Sequence, residues 1–307
     1  MHKKLRYILP RIDRFRYFNR FRIFDFYRER RIKMPLLDKI RLMVARDSRN
    51  IIPFIDIDVT TYCNLKCIRC AKCIPYFQNK RHFSAAMIRE NLELLTRYMD
   101  TICVASIIGG EPFLNPELKE IIEICAANTR IRNLELTTNA TIVPEDELLR
   151  TIKRCGVIVH ISKYDNIDNN FIVNREKLIE RLREFDIPFE FQFHPIWLDF
   201  GEIERRNYSD SELERMLIHC PMSTCTVFND KILYRCGKAS YLGQHAMEME
   251  TCSETTIDMR QIHSREDMRA ALRRFYSIKI LPSCRYCLNH PRGIIAAEQI
   301  VTKHYEM

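Results

Sequence analysis

The chain has 307 residues, 46% of them hydrophobic, and carries 49 Lys or Arg against 40 Asp or Glu, a formal net charge of +9. That length accommodates one full α/β core with a smaller appended unit, and no apolar run approaches the ~18–20 residues that cross a bilayer. Arginines interrupt the N-terminus every two or three residues, which excludes the apolar core of a secretory signal, so a cytoplasmic enzyme is expected.

The charge sits at one end. Residues 1–33 hold twelve basic side chains against Asp13, Asp25 and Glu29, so this segment alone is +9 and the remaining 37 basic and 37 acidic residues cancel. A neutral body gives no reason to expect a nucleic-acid substrate. Residues 14–19 (RFRYFN) and 20–25 (RFRIFD) form a basic, aromatic quasi-repeat. Two readings stand: an extension that packs its aromatics on the body, or a segment that docks to an anionic membrane surface or acidic partner, giving a peripheral location. Stacking of nucleic-acid bases by the interleaved Arg and Phe is a third, weaker reading. We assign 1–48 as this extension.

From residue 51 strands and helices alternate. Ile55, Ile57 and Val59 alternate with Asp56, Asp58 and Thr60, which predicts a strand running into a cysteine loop. Ser84 caps a helix through about residue 98, and 101–108 (TICVASII) reads as a buried parallel strand. Asn115-Pro116 supplies an N-cap and first-turn proline for a helix over 116–127. Strand 132–138, helix 144–154, strand 157–162, helix 175–185 and strand 188–194 continue the rhythm. Five such units predict a parallel sheet curled into a partial barrel over 49–208.

Near residue 209 the rhythm changes. A helix ends near Cys220, 226–235 (TVFNDKILYR) predicts a hairpin turning at Asn229-Asp230, and a helix from Ser264 leads to Cys284-x-x-Cys287. We assign 209–295 as a second unit and 296–307 as a tail.

Thirteen cysteines is an odd, high count. Their clustering at 63–73, 220–236 and 284–287, with two- and three-residue gaps, points to metal ligands rather than a disulfide framework. Cys103, Cys125 and Cys155 read as ordinary buried residues. Cys63-x3-Cys67-x2-Cys70 directly follows the first strand; three thiolates from one loop suit three irons of a cubane, whereas structural zinc wants four ligands.

With Gly109-Gly110-Glu111-Pro112 after the second strand, this loop resembles the radical S-adenosylmethionine (SAM) superfamily. The resemblance implies a partial (β/α)6-type barrel and a [4Fe-4S] cluster on Cys63, Cys67 and Cys70 whose open iron is chelated by SAM. It also implies SAM contacts from Gly109, Gly110, Glu111, Thr138, Asn139 and Ser162. Where the family carries an aromatic before the third cysteine this chain has Arg69, whose guanidinium plane offers a stacking surface. Cys73 extends the loop by another Cys-x2-Cys step and is read as a bystander.

Cys220, Cys236, Cys284 and Cys287 resemble the twitch domain, a small β-hairpin/helix unit, which implies one auxiliary [4Fe-4S] cluster. Cys225 competes with Cys220 as first ligand, Cys252 has no motif around it, and zinc, with or without His290, is the alternative. The resemblance implies reductive cleavage of SAM to a 5′-deoxyadenosyl radical, with electrons from a flavodoxin- or ferredoxin-type donor. The expected reaction is oxidation of an alcohol in a sugar, aminocyclitol or similar small molecule. Lys163, Tyr164, Gln192 and His194 are candidates to bind or deprotonate it. The rivals are redox-neutral epimerisation with Cys225 or Cys252 returning a hydrogen atom, modification of a ribosomal peptide, and a non-catalytic iron–sulfur electron carrier.

Overall fold

The computed structural model describes residues 49–164, 169–193, 196–223, 225–245 and 255–300. The basic extension, His194 and Cys252 lie outside the described residues.

Five parallel strands form one half of the main sheet: β1 (Ile51–Thr60), β2 (Thr101–Gly109), β3 (Leu134–Thr138), β4 (Ile158–Lys163) and β5 (Phe189–Phe193). Helices α1 (Ala85–Thr96), α2 (Leu118–Ala127), α3 (Asp146–Arg154) and α4 (Asn169–Glu184) connect them. A short β6 (Ile196–Leu198) follows, then α5 (Asp210–His219), β7 (Val227–Asn229), β8 (Ile232–Tyr234), α6 (Gly237–Gln244), β9 (Ile257–Asp258), α7 (Arg265–Ser277) and β10 (Gly293–Ile295).

The strand order is β5-β4-β3-β2-β1-β7-β8-β9, so the sheet is open, with β5 and β9 at its two ends. β7 lies parallel to β1, pairing Asp56 with Val227 and Ile57 with Phe228. It takes a sixth parallel position, and β8 and β9 add antiparallel beyond it. The strand direction thus reverses at the β7–β8 hairpin, inside the segment where the rhythm changes. One apolar cluster runs from Ile55, Ile107 and Leu136 through Leu92, Ile121, Ile152 and Leu182 to Phe228, Leu233, Met268 and Phe275.

Local chemistry explains the element ends. Ser84 accepts from Met87 N at 3.2 Å, as an N-cap should. Pro53 falls in the part of β1 that β7 does not reach, where its missing N–H costs no ladder bond. α2 opens at Leu118, two residues later than expected, because the Asn115 amide donates to Val59 O and Phe83 O and ties this turn to β1. α4 opens six residues early, at Asn169. The hairpin turns one residue late: Asp230 and Lys231 both have positive φ, while Asn229 stays in the ladder opposite Ile232.

The register sorts the sheet into two faces. Ile57, Ile107, Leu136 and Ile161 lie on the helix-covered face. Asp56, Asp58, Ser106, Glu135, Thr137, His160 and Ser162 share the inner face. Parallel strands buried on both sides are ordinarily apolar throughout; this inner face is polar, and polar groups there must find partners.

Candidate functional site

Five strands end together at the mouth of the curled sheet, and the cysteine loop leaves from the first of them. A Cβ on Gly109 would overlap Thr60 O, and one on Gly110 would overlap Tyr62 O. Without side chains there, the end of β2 lies against the chain leaving β1, with Gly110 N on Thr60 O and Glu111 N on Tyr62 O, both at 2.8 Å. The close approach these glycines permit is to the protein's own backbone.

Glu111 is fully buried. Its Oε1 accepts from Thr138 Oγ1 at 2.8 Å and from Phe113 N at 3.2 Å, and its Oε2 accepts from Asn139 N at 2.8 Å. Burial outweighs these donors and lifts its carboxyl pKa to about 7. Asn139 extends the network, its Nδ2 donating to Asn64 Oδ1 at 3.0 Å and lying 3.7 Å from Cys63 Sγ. Ser162 is buried and hydrogen-bonds the Tyr164 hydroxyl. Tyr164 packs with Cys63, Cys67 and Cys70 and meets Trp197 edge-on at 5.4 Å. Of the other substrate candidates, Lys163 closes β4, and Gln192 stands opposite Ser162 in β5.

Cys63, Cys67 and Cys70 lie within electrostatic reach of one another. Burial pushes the Cys63 thiol up to about 11 and Cys67 to about 12, and raises Cys70 as well. N–H groups nevertheless point at these sulfurs: Leu65 N at 3.4 Å and Asn139 Nδ2 at 3.7 Å from Cys63, Gln299 Nε2 at 3.3 Å from Cys67, and the backbone of Lys72, Cys73 and Ile74 at Cys70. Donors aimed at sulfur favour thiolate, the form that binds iron. Among the described residues no three His, Cys, Asp or Glu groups converge tightly enough for a single ion. Three thiols from one loop are a donor set that would suit three irons of a cubane, whereas structural zinc wants four ligands.

Arg69 is committed elsewhere. Its guanidinium pairs edge-on with Asp199 at 2.9 Å and with Glu202, which binds the loop to the segment after β6 and fixes the plane's orientation. The next residues carry a feature the sequence reading missed. Lys72 Nζ lies 2.7 Å from Asp58 Oδ1 and 3.4 Å from Asp56 Oδ2, so a loop lysine neutralises the two inner-face aspartates. Deeper on that face, His160 Nε2 stands 3.3 Å from Glu135 Oε2, both almost inaccessible. Asp56 and Asp58 alternating inside an apolar strand was the available signal for a polar interior.

The second cysteine set also comes together. Cys220 caps the end of α5, Cys236 the start of α6, and Cys284 lies within the short 3-10 turn that follows α7, with Cys287 at its end. The thiols that weigh on Cys284 are Cys287, Cys236 and Cys220, and on Cys287 they are Cys236, Cys220 and Cys73. Cys225 stands on the loop entering β7, its N–H on Met222 O. A cavity of about 310 Å³ borders Cys220, Cys284 and Cys287, with Arg215, His219 and His290 on its wall.

Two buried cations adjoin this set. Lys238 Nζ donates to Gly201 O at 2.8 Å, Glu202 O at 2.5 Å and Tyr286 O at 3.1 Å. Arg235 donates to Ser223 O at 2.9 Å and to Phe275 O, and burial lowers its pKa. These partners are neutral carbonyls, and the neighbouring cysteines, if ionised by a metal, would supply counter-charge. Cys73, 2% exposed, lies between the two sets, within reach of Cys70 on one side and Cys236 on the other. No helix among the described residues is long and apolar enough to cross a membrane.

Residues 57–188 match the family model described as Radical SAM superfamily. A GTP 3′,8-cyclase of Clostridium acetobutylicum is 30% identical over 118 residues, covering 38% of this chain and 35% of that one. A GTP 3′,8-cyclase of Syntrophomonas wolfei is 26% identical over 178 residues, covering 56% and 52%. The chain thus spans about a third to a half of the length of these curated relatives. Among solved structures, BtrN in complex with AdoMet and 2-DOIA superposes with TM-score 0.44 at 14% identity, covering 76% of this chain and 92% of that one. Native anSMEcpe with bound AdoMet gives TM-score 0.38 at 16% identity, covering 45% and 42%. The segment 57–188, which contains the cysteine loop, Glu111 and the ends of β1 to β4, is a domain of the radical SAM superfamily.

Proposed function

We propose that this chain reductively cleaves SAM at a [4Fe-4S] cluster on Cys63, Cys67 and Cys70 and removes a hydrogen atom from a small polar molecule, oxidising an alcohol. The observation that carries the reading is the meeting of those three thiols with the Glu111–Thr138–Asn139 network at one sheet mouth. When bound, the cofactors supply a 5′-deoxyadenosyl radical at this site and, on Cys220, Cys236, Cys284 and Cys287, an auxiliary cluster as electron acceptor.

The protein's own share is to hold and orient. Gly109 and Gly110 set the distance between the loop and β2, while Glu111, Thr138, Asn139 and Ser162 present polar groups where SAM would lie. The inner face supports the choice of substrate. Asp56, Asp58 and Glu135 stand there with Lys72 and His160, a buried polar interior in keeping with a hydroxylated or amine-bearing molecule such as a sugar or aminocyclitol. Oxidation of a CHOH group moves one hydrogen atom to the 5′-deoxyadenosyl carbon, one proton to a base and one electron to the acceptor. His160 is a group of this interior able to take part in the proton's removal, while Tyr164, its phenol held protonated by burial, can only donate a hydrogen bond.

A second reading follows from the relatives' name: radical attack within a nucleotide, as GTP 3′,8-cyclase implies. Anaerobic incubation of the reduced, reconstituted chain with SAM tests the proposal. 5′-Deoxyadenosine should form in the wild type and vanish in Cys67→Ala. Equal amounts from both would overturn it. Turnover with a deuterated aminocyclitol should transfer the label into 5′-deoxyadenosine; label transfer from GTP alone would favour the second reading.

A further inference from the structure

The residues after Cys287 return to the first cysteine loop. β10 pairs antiparallel with β6, placing Ile294 opposite Trp197. Ala296 and Ala297 are then buried, Ala297 against Leu65 and Cys67, and Ala297 adopts φ +57, turning the chain onto the loop. Ile68 N donates to Glu298 O at 2.6 Å and Ile300 N to Lys66 O at 2.8 Å, with Cys67 and Gln299 forming an antiparallel bridge between them. Residues 298–300 therefore lie as a one-rung strand along 66–68.

The Gln299 side chain fastens this strap in three directions. Its Oε1 accepts from Lys66 N at 2.7 Å, and its Nε2 donates to Ala297 O at 2.6 Å and to Cys67 Sγ at 3.3 Å. The first two bonds hold backbone. The third reaches a sulfur that the proposed function makes an iron ligand, and the inference rests on that reading. An N–H directed at a ligating thiolate favours the more negative, reduced form of a cluster, and hydrogen bonds to sulfur are among the determinants of iron–sulfur potentials.

We propose that Gln299 is a positioning residue for the SAM-binding cluster: its amide fixes Cys67 and raises the cluster's reduction potential, so that the C-terminal strap completes the site. This gives residues 296–300 a role in the radical chemistry in place of that of a tail.

The test is a redox titration, followed by electron paramagnetic resonance, of the anaerobically reconstituted full chain. The relevant signal is identified by its change on adding SAM. Gln299→Glu keeps the acceptor for Lys66 N and loses the donor, while Gln299→Leu loses both. At the wild-type midpoint the ratio of reduced to oxidised cluster should fall about fivefold in Gln299→Leu, the scale of one net hydrogen bond, and further in Gln299→Glu, where a negative charge faces the sulfur. Wild-type iron content with an unchanged ratio in both variants overturns the proposal. If the variants load no iron, alkylation of Cys67 in the apo chain is compared with that of buried Cys103. A selective rise at Cys67 supports the strap, and unchanged rates overturn it. Failure of the underlying reading looks different: Cys67→Ala would then keep the iron content and spectrum of the wild type.

Discussion

Thr138 Oγ1 donates to Glu111 Oε1 at 2.8 Å, a buried hydrogen bond that ties the end of β3 to the turn after β2. Asn139 continues the line from Glu111 to Cys63, so the carboxylate is linked to the cysteine loop through two adjacent residues. A ligand at the mouth would thus meet a network whose parts already hold one another.

Glu111 makes the apo chain's stability depend on pH. Its pKa is raised from 4.5 to about 7, chiefly by burial, so the folded state binds this proton more tightly than the unfolded state does. The contribution is complete below about pH 4.5 and is lost as pH rises through about 7, a change on the order of 3 kcal/mol. Glu111→Gln should cost about 1–3 kcal/mol at low pH, because an amide NH2 meets the Asn139 N–H, and should flatten the profile from pH 5 to 8. Denaturant titrations of both apo chains across that range check this; parallel profiles would assign the dependence to another group.

Gly110→Ala should be far more damaging than Gly156→Ala. The first places a methyl onto Tyr62 O, with Cys63 Cβ 3.0 Å away, so either the cysteine loop or the end of β2 must shift. The second meets nothing within 4 Å and bears only the strain of φ +65, about 1–2 kcal/mol. Melting temperature and iron content should both fall for Gly110→Ala, while Gly156→Ala should lower the melting temperature slightly and leave iron unchanged.

The sequence made the parallel strands, most helices and the two cysteine sets legible, because local periodicity and short spacings encode them. Asp56 and Asp58 were legible as the polar half of a strand, but not as buried, since their partner Lys72 arrives from an irregular loop with no period to read. The ion pairs that fix Arg69 come from Asp199 and Glu202, more than a hundred residues later, and left no sign beside it in the sequence. The bond from Gln299 to Cys67 spans 232 residues and belongs to a one-rung ladder, too short to leave alternation in the sequence. Contacts made by single side chains from distant loops carry no pattern of their own.

Lys72→Met should destabilise the fold by about 3–5 kcal/mol, because it leaves Asp56 and Asp58 buried beside each other without their cation. Burial works against the lysine's charge, but the two aspartates win and raise its pKa. Asp58→Asn should therefore rescue part of the loss in the double variant, whereas Asp58→Asn alone removes the shorter pair. Chemical denaturation of the four chains gives the coupling directly. Additive costs would mean that Lys72 acts through packing of its stem instead.

The second cysteine set yields the last prediction, through its cations. Lys238 and Arg235 hold their charges among carbonyls beside Cys220, Cys236, Cys284 and Cys287. A chain with both clusters should hold about eight irons, and Cys284→Ala or Cys287→Ala about four. Lys238→Met leaves every thiol in place but removes a cation that balances a metal–thiolate anion, so it should lower iron retention at this set while sparing the set on Cys63, Cys67 and Cys70. Iron and acid-labile sulfide counts after gel filtration measure both effects. About four irons in the wild type, unchanged in Cys284→Ala and accompanied by zinc, would make the second set a zinc site. Eight irons retained in Lys238→Met would show that the cluster does not need this cation to balance its charge.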